Sequence, residues 1–430
     1  MAVFHLKGKK LKGELRVPSD KSISHRSIML SSINRGEVII KNFLPSEDCL
    51  NTLKAFLELG ADIEKRSDEI LVRGRGKRSL KEPFNVIDLG NSGTSIRLIS
   101  GILSGQPFYS VLTGDKYLRR RPMDRIAVPL RMMGAQIYGR EGGKYPPLTI
   151  IGKEKLKGIK YKSPKASAQV KSSILLAGLF TDEEVEVTEP AKSRDHTERM
   201  LRAFGVDVIE EGLTVKLGKN RELEKDLEIS VPADISSAAF FIVGALITPS
   251  SEVLLKEVIL NPTRTGILKV IERMGADFEV VNRRETSGEE VGDIVVRYTP
   301  NLKATEIGGE EIPTLIDEIP VIALLATQAE GKTVIKDASE LRVKESDRIK
   351  STVTNLRNIG ADVEELPDGM VIRGKTPLKG GKVCSFGDHR IVMTFTVASL
   401  ITEGPVEIDE VESVSTSYPG FFDDIKKLLR

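Results

Sequence analysis

Residues 58–64 read ELGADIE, and the phrase returns four more times: MMGAQIY at 132–138, AFGVDVI at 203–209, RMGADFE at 273–279 and NIGADVE at 358–364. The glycines at its centre, Gly60, Gly134, Gly205, Gly275 and Gly360, are spaced 74, 71, 70 and 85 residues apart. Before Gly60, the apolar residues Leu50, Leu53, Phe56 and Leu57 recur as one face of a helix, and the run after it alternates as a strand does. Glycine readily takes the left-handed conformation with which many helices end. Each phrase therefore predicts a helix, a glycine stop and a strand, and a period this long implies supersecondary blocks repeated along the chain.

Upstream of each such helix lies a second, more hydrophobic one, opened by a polar cluster. The clusters are Asp20-Lys21-Ser22, Asn91-Ser92-Gly93-Thr94, Ser167-Ala168-Gln169, Asp234-Ile235-Ser236-Ser237, Asp317-Glu318 and Asp388-His389-Arg390. Short β-rich runs follow, among them EVIIKN (37–42), EVEVTE (184–189), EVLLKE (252–257), KTVIKD (332–337) and PVEIDE (405–410). Six blocks result. The sixth stops at FFDDIKKLLR (421–430) without its closing strands, while a spare strand pattern, FHLKGKKLKGELRV, occupies 4–17. The chain ends are therefore expected to meet.

The first helix of each block is apolar nearly all round, as in SSAAFFIVGALI (236–247), and such helices belong inside a fold. Three inner helices per lobe, jacketed by sheet and amphipathic helices, make two lobes of the α/β (α+β) class. The expected division is residues 17–230 for lobe one, with repeats one to three. Lobe two would be 1–16 plus 231–430, the N-terminal strand with repeats four to six. The active site is expected in the cleft between the lobes.

A buried helix still begins with about four unpaired N–H groups carrying roughly half a positive charge. Ser, Thr, Asp and Asn at those starts are ordinary caps. The clusters hold more than capping requires: Lys21 and Arg26 add cations, and GNSGT (90–94) supplies close backbone approach. Parallel helix starts aimed one way suit anions. The segments before the outer helices, KYLRRRPMDR (116–125), AKSRDHTER (191–199), NPTRTG (261–266) and LRVKESDRI (341–349), add guanidinium groups that bind phosphate bidentately. Arg120, Arg121, Lys344 and Arg348 are placed for that role, whereas Arg119 and the lysines from Lys7 to Lys12 read as solvated charge.

Other classes are disfavoured. The 430 residues include 64 basic and 62 acidic side chains, so no global positive field marks a nucleic-acid or membrane binder. Aromatic residues are only 5%, with no tryptophan, which argues against base-stacking surfaces. Cys49 and Cys384 cannot build a disulfide framework, and the four histidines lack a metal-binding spacing. The N-terminus lacks a signal-peptide pattern and no apolar run spans a bilayer, so a cytoplasmic protein is expected. Only four glutamines accompany abundant Glu, Lys and Arg, a balance found in heat-adapted proteins. AEGKT (329–333) lacks the first glycine of a P-loop, and no nucleophile elbow or dinucleotide fingerprint occurs.

The segments DKSISHRSIML (20–30), LGNSGTSIRL (89–98), RRRPM (119–123), SAQVKSSILLAG (167–178), RVKESDRI (342–349) and GDHRIVMTF (387–395), in this order, resemble the 5-enolpyruvylshikimate-3-phosphate synthase family along essentially the whole chain. The resemblance implies a two-lobed inside-out α/β barrel of six βαβαββ repeats, three per lobe, in agreement with the count above. It also implies transfer of the enolpyruvyl group of phosphoenolpyruvate to the 5-hydroxyl of shikimate 3-phosphate, with release of phosphate, in the shikimate pathway.

Carried over by position, the resemblance assigns Lys21, Ser22, Arg26, Ser167, Gln169, Ser193, Asp317 and Lys344 to shikimate 3-phosphate. It assigns Lys21, Gly93, Arg121, Gln169, Arg348 and Arg390 to phosphoenolpyruvate. Catalysis falls to Asp317 as base, Glu345 as proton donor and Lys21 touching both substrates. Read without the resemblance, Asp317 is a capping carboxylate and Glu345 a salt-bridge partner. No cofactor or metal is implied, and the family's members are commonly monomers. Closure of the lobes is expected to exclude water.

Three positions depart from the family pattern: Ala168 stands for a second serine, Glu340 for an asparagine and Thr416 for a lysine. The segments SAQVK (167–171), RDHTE (194–198), GDKY (114–117) and NPTR (261–264) resemble the branch that tolerates glyphosate. Gly93, often alanine where tolerance is found, leaves an expectation of partial tolerance. Two rivals remain: the sister transferase acting on UDP-N-acetylglucosamine, disfavoured because no cysteine stands near RRRPM, and a noncatalytic anion- or RNA-binding protein on the same scaffold.

Overall fold

The computed structural model describes residues 1–430. The chain separates into two compact units. One comprises residues 19–231 with 286–288, and the other residues 1–18, 232–285 and 289–430.

Residues 19–231 contain three inner helices, Lys21–Ile33, Gly93–Ser104 and Ala168–Gly178, and three outer helices, Glu47–Glu58, Asp124–Met132 and His196–Ala203. Three four-stranded sheets accompany them. All share one pattern: the strand after the inner helix pairs in parallel with the opening strand and antiparallel with the last strand, which pairs antiparallel with the one before it. In the second repeat these are Tyr109–Thr113, Ile87–Asp88, Tyr145–Ile151 and Gln136–Gly139. The inner helices cross closely. A Cβ at Gly101 would lie 2.3 Å from the Ser173 carbonyl oxygen, so only glycine allows the second inner helix to approach the third.

The other unit repeats the plan with inner helices Ile235–Ile247, Ile319–Ala326 and His389–Ala398 and outer helices Gly266–Arg273, Arg348–Asn358 and Phe421–Leu428. Every residue of Ile235–Ile247 is buried, as its all-round apolar sequence requires. Phe240 and Phe241 of this helix pack their rings with those of Tyr418 and Phe421.

The repeated glycines do what the sequence asks. Gly60, Gly134, Gly205, Gly275 and Gly360 have φ of 79, 101, 94, 77 and 96°. The next residue's N–H reaches back to close the helix: Ala61 to Phe56, Ala135 to Leu130, Val206 to Leu201, Ala276 to Ile271 and Ala361 to Leu356, at 2.9 to 3.1 Å.

The chain ends do meet, with a refinement. The N-terminal run divides between two sheets. Ala2–Phe4 pairs antiparallel with Val406–Ile408 and completes the sixth repeat, and Lys12–Leu15 pairs in parallel with Glu252–Ile259 and opens the fourth. Lys10 and Arg430 exchange backbone hydrogen bonds. The opening strand of the first repeat comes from the far end of its unit: Leu227–Ser230 pairs with Arg35–Lys41. Each unit thus borrows its first strand from just before the other unit's first helix.

Candidate functional site

In the unit of residues 19–231, the inner helix starts gather the cations. Asp20 caps its helix by accepting the Ile23 N–H at 2.8 Å, and Ser92 caps the next by accepting the Ser95 N–H at 3.2 Å. Lys21 and Arg26 take no part in the capping. Lys21 Nζ lies 3.0 Å from Asp48 Oδ2. Arg26, almost fully buried, donates to the Thr197 hydroxyl at 2.7 Å, the Ser172 hydroxyl at 3.0 Å and the Ser22 carbonyl at 2.9 Å. Arg121, also buried, packs against the glycine of GNSGT: a Cβ at Gly93 would meet its guanidinium at 2.7 Å. Gln169 is oriented from both ends, its oxygen accepting from Arg97 and its amide donating to the Thr94 hydroxyl at 2.9 Å. Arg120, by contrast, is exposed beside its neighbour Arg119 and does not join this group.

A buried polar chain underlies these starts. His25 Nδ1 lies 2.7 Å from the Thr52 hydroxyl, which is 2.6 Å from the Ser95 hydroxyl, which donates to Ser92 at 2.6 Å. Burial, with Lys21 and Arg26 adding to it, holds the His25 imidazole well below the usual histidine range, so the ring is neutral. His25 and Thr52 lie outside the residues singled out from sequence.

Ser167 and Ser193 meet at one carboxylate. Glu189 accepts the Ser167 N–H at 3.1 Å and the Ser193 hydroxyl at 2.6 Å. Behind it, Lys171 lies 2.8 Å from Glu189 and 2.7 Å from Glu198. Burial alone would lower the Lys171 ammonium, but the two carboxylates carry it above the usual lysine value.

In the other unit the centre is Arg348, whose side chain is 1% exposed. It donates to Asp388 Oδ2 at 2.8 Å, Asp317 Oδ1 at 3.0 Å and Glu345 Oε2 at 2.6 Å. Lys344 Nζ lies 3.6 Å and Arg390 Nε 3.9 Å from Asp317 Oδ1, and Arg390 also donates to the Asp317 carbonyl at 3.1 Å. Three carboxylates and three cations are therefore interlocked. Burial opposes ionisation of Asp388, yet Arg348 outweighs it and holds that carboxyl below its usual range. Arg348 is pushed above the normal arginine value by the same three carboxylates.

The capping reading of Asp317 is corrected here. Glu318 occupies the cap position and makes no side-chain cap bond, because the helix opens with Pro320 in its first turn. Asp317 points its carboxylate into the cationic cluster. Asp388 does cap, accepting the Arg390 N–H at 2.9 Å while it holds Arg348. At the fourth repeat, Asp234 and Ser236 bind the buried Arg264 of NPTR at 2.8 and 2.9 Å.

These features define a class: repeat-built α/β proteins that set arginine and lysine against acids at the starts of buried helices. Comparison with known proteins gives the rest. The family described as EPSP synthase (3-phosphoshikimate 1-carboxyvinyltransferase) matches residues 6–425. A 3-phosphoshikimate 1-carboxyvinyltransferase of Geobacillus kaustophilus is 55% identical over 97% of this chain and 98% of its own. That of Bacillus subtilis is 52% identical over 98% of each. The EPSP synthase structure from Acinetobacter baumannii superposes with a TM-score of 0.88 at 47% identity, covering 99% of this chain and 97% of its own. The chain belongs to the EPSP synthase family.

Proposed function

We propose that this chain transfers the enolpyruvyl group of phosphoenolpyruvate to the 5-hydroxyl of shikimate 3-phosphate, giving 5-enolpyruvylshikimate 3-phosphate and phosphate in the shikimate pathway toward chorismate and the aromatic amino acids. The observation that carries the mechanism is the Arg348 cluster, in which Asp317 and Glu345 stand 3.0 and 2.6 Å from one buried guanidinium, with Lys344 and Arg390 around Asp317.

Both substrates are polyanions, so cations must offset their repulsion before the hydroxyl can approach C2 of the enolpyruvate. Holding two reactants aligned lowers a barrier by about 7–11 kcal/mol. Lys21, Ser22, Arg26, Ser167, Gln169, Ser193, Asp317 and Lys344 bind shikimate 3-phosphate; Lys21, Gly93, Arg121, Gln169, Arg348 and Arg390 bind phosphoenolpyruvate. The buried Arg26 supports this, since Thr197 and Ser172 fix its guanidinium before any ligand arrives.

Asp317 takes the proton of the 5-hydroxyl as its oxygen bonds to C2, and Glu345 gives a proton to the methylene C3, which becomes a methyl group. The tetrahedral adduct then expels phosphate from C2, its leaving oxygen taking the proton held by Asp317, as the methyl returns a proton to Glu345; the double bond and both carboxyl groups are thereby restored. Acid and base of this kind are each worth about 10²- to 10⁴-fold. Phosphate release that requires both phosphoenolpyruvate and shikimate 3-phosphate supports the reading; release with UDP-N-acetylglucosamine in place of shikimate 3-phosphate overturns it.

Within the family, SAQVK, RDHTE, GDKY and NPTR support membership of the glyphosate-tolerant branch. Gly93, with no methyl group to narrow the phosphoenolpyruvate pocket, limits the tolerance to a partial one. Inhibition at concentrations that suffice for sensitive enzymes would reject that assignment. The phosphorylated substrates suit an enzyme of the cytoplasm, where such metabolites are held, and family membership is the ground for expecting a monomer.

A further inference from the structure

Lys171 of SAQVK and Glu198 of RDHTE have no part in the reaction above, yet the structure joins them. Their side chains are 1% and 0% exposed and lie 2.7 Å apart. Glu189, 3% exposed and 2.8 Å from Lys171, completes a buried triad. Burying charge is costly unless every group is paired. A triad kept at that cost invites the question of what it holds.

Its outer contacts answer. Glu189 directly follows the Val185–Thr188 strand, and its carboxylate accepts the Ser167 N–H at 3.1 Å, the Ser193 hydroxyl at 2.6 Å and the Ser193 N–H at 3.4 Å. Lys171 sits one turn along the helix that Ser167 opens, its own N–H bonded to the Ser167 carbonyl at 3.1 Å. Glu198 lies in the first turn of the His196–Ala203 helix that follows Ser193. One carboxylate thereby ties the start of an inner helix to the loop before an outer helix, and one lysine ties that carboxylate to both helices.

We infer that Glu189, clamped by Lys171 and Glu198, is a positioning residue that sets the separation and orientation of Ser167 and Ser193 for the phosphate of shikimate 3-phosphate. The inference rests on the assignment of those serines to that substrate. Glu189 does not touch the phosphate. Lys171, shared with Glu198, offsets part of its charge and so lessens the repulsion of a dianion beyond the serines. The Ser193 hydroxyl has a single hydrogen, given to Glu189 in this state; the incoming phosphate receives it when the hydroxyl turns. Burial pushes the Glu198 carboxyl up, partly opposed by Lys171.

The test is calorimetric titration of shikimate 3-phosphate, without phosphoenolpyruvate, into the full-length protein and the variants Glu189→Ala, Ser193→Ala and their double. The expected result is a loss of tenfold or more in affinity for each single variant, with the double variant losing much less than the product of the two, because Glu189 acts through Ser193. KM for phosphoenolpyruvate should change less than threefold in Glu189→Ala. Glu189→Gln, which keeps an acceptor oxygen, should retain most of the affinity. Should Glu189→Ala fail to fold, Glu189→Asp, with its oxygens withdrawn by one methylene, carries the same cycle. If Ser193→Ala weakens binding but the Glu189 variants bind within twofold of the parent, the clamp is wrong and the site assignment survives. If Ser193→Ala and Ser167→Ala both bind like the parent, the site assignment fails and takes the clamp with it. A Glu189→Ala loss that multiplies with that of Ser193→Ala and falls equally on both substrates means general loosening, and also overturns the clamp.

Discussion

A Cβ placed on Gly93 would stand 2.7 Å from the guanidinium carbon of Arg121, closer than side chains approach one another. Arg121 is the flexible partner and would yield. Gly93→Ala is therefore expected to fold normally and to raise KM for phosphoenolpyruvate about tenfold by moving one of its cations, with little change for shikimate 3-phosphate. Steady-state kinetics varying each substrate in turn would check this, and equal effects on both would contradict it.

Asp317→Ala should lose about 10²- to 10⁴-fold in kcat, the range for a general base. Arg348 retains Asp388 and Glu345 in that variant, so the buried guanidinium is not stranded and the thermal midpoint should move little. Circular dichroism melts alongside single-turnover rates separate the two effects. Lys7→Ala and Lys12→Ala, both remote from any helix start, should leave kcat and KM as they are.

His25 sets an acid limit on stability. Its folded pKa is depressed by burial and by Lys21 and Arg26, while the unfolded ring titrates at its ordinary value of 6.5. Below that value the unfolded chain binds a proton that the folded chain refuses, so stability falls as pH drops below about 6.5 and goes on falling toward the folded pKa. Asp388 acts lower on the scale. Its folded pKa lies beneath the ordinary 3.8, so its contribution is complete above that value and is lost as pH falls through the folded one. Urea unfolding between pH 7 and pH 4 should show a declining midpoint in the parent and a flatter one in His25→Asn. Parallel curves would count against the buried neutral ring.

Gly134 offers a clean measure of the repeated helix stop. Its φ is 101° and nothing lies within 4 Å of where a Cβ would stand, so alanine there meets strain without a clash. Gly134→Ala should cost about 1–2 kcal/mol, seen as a lower urea midpoint at unchanged slope. A loss below about 0.3 kcal/mol would mean that the helix end relaxes out of the left-handed region.

The helix stops and starts were legible because each is a local matter: a glycine in the left-handed region, or an Asp or Ser accepting an N–H two or three residues on. Arg348 and Lys344 could be singled out for the same reason, each lying beside the start of an outer helix. What escaped the sequence is tertiary. Asp317 read as a cap until it was seen to meet Arg348, 31 residues away, and nothing in EVEVTE marks Glu189 as the acceptor for two serines. The His25, Thr52 and Ser95 hydrogen bonds join three helices whose sequences, taken singly, give no reason to pair them. The N-terminal run was recognised as spare strand, but period-2 alternation cannot tell which of two sheets a segment will join.

The exchanged opening strands impose an order on the chain as it leaves the ribosome. Once Ser230 has emerged, residues 19–231 hold every strand of their three sheets. Lys12–Leu15 has by then been waiting for more than two hundred residues and waits longer, for Glu252–Ile259, while Ala2–Phe4 finds its partner only once Val406–Ile408 has emerged. A chain halted before residue 400 therefore lacks the partner of Ala2–Phe4, and the sheet of the sixth repeat stays open.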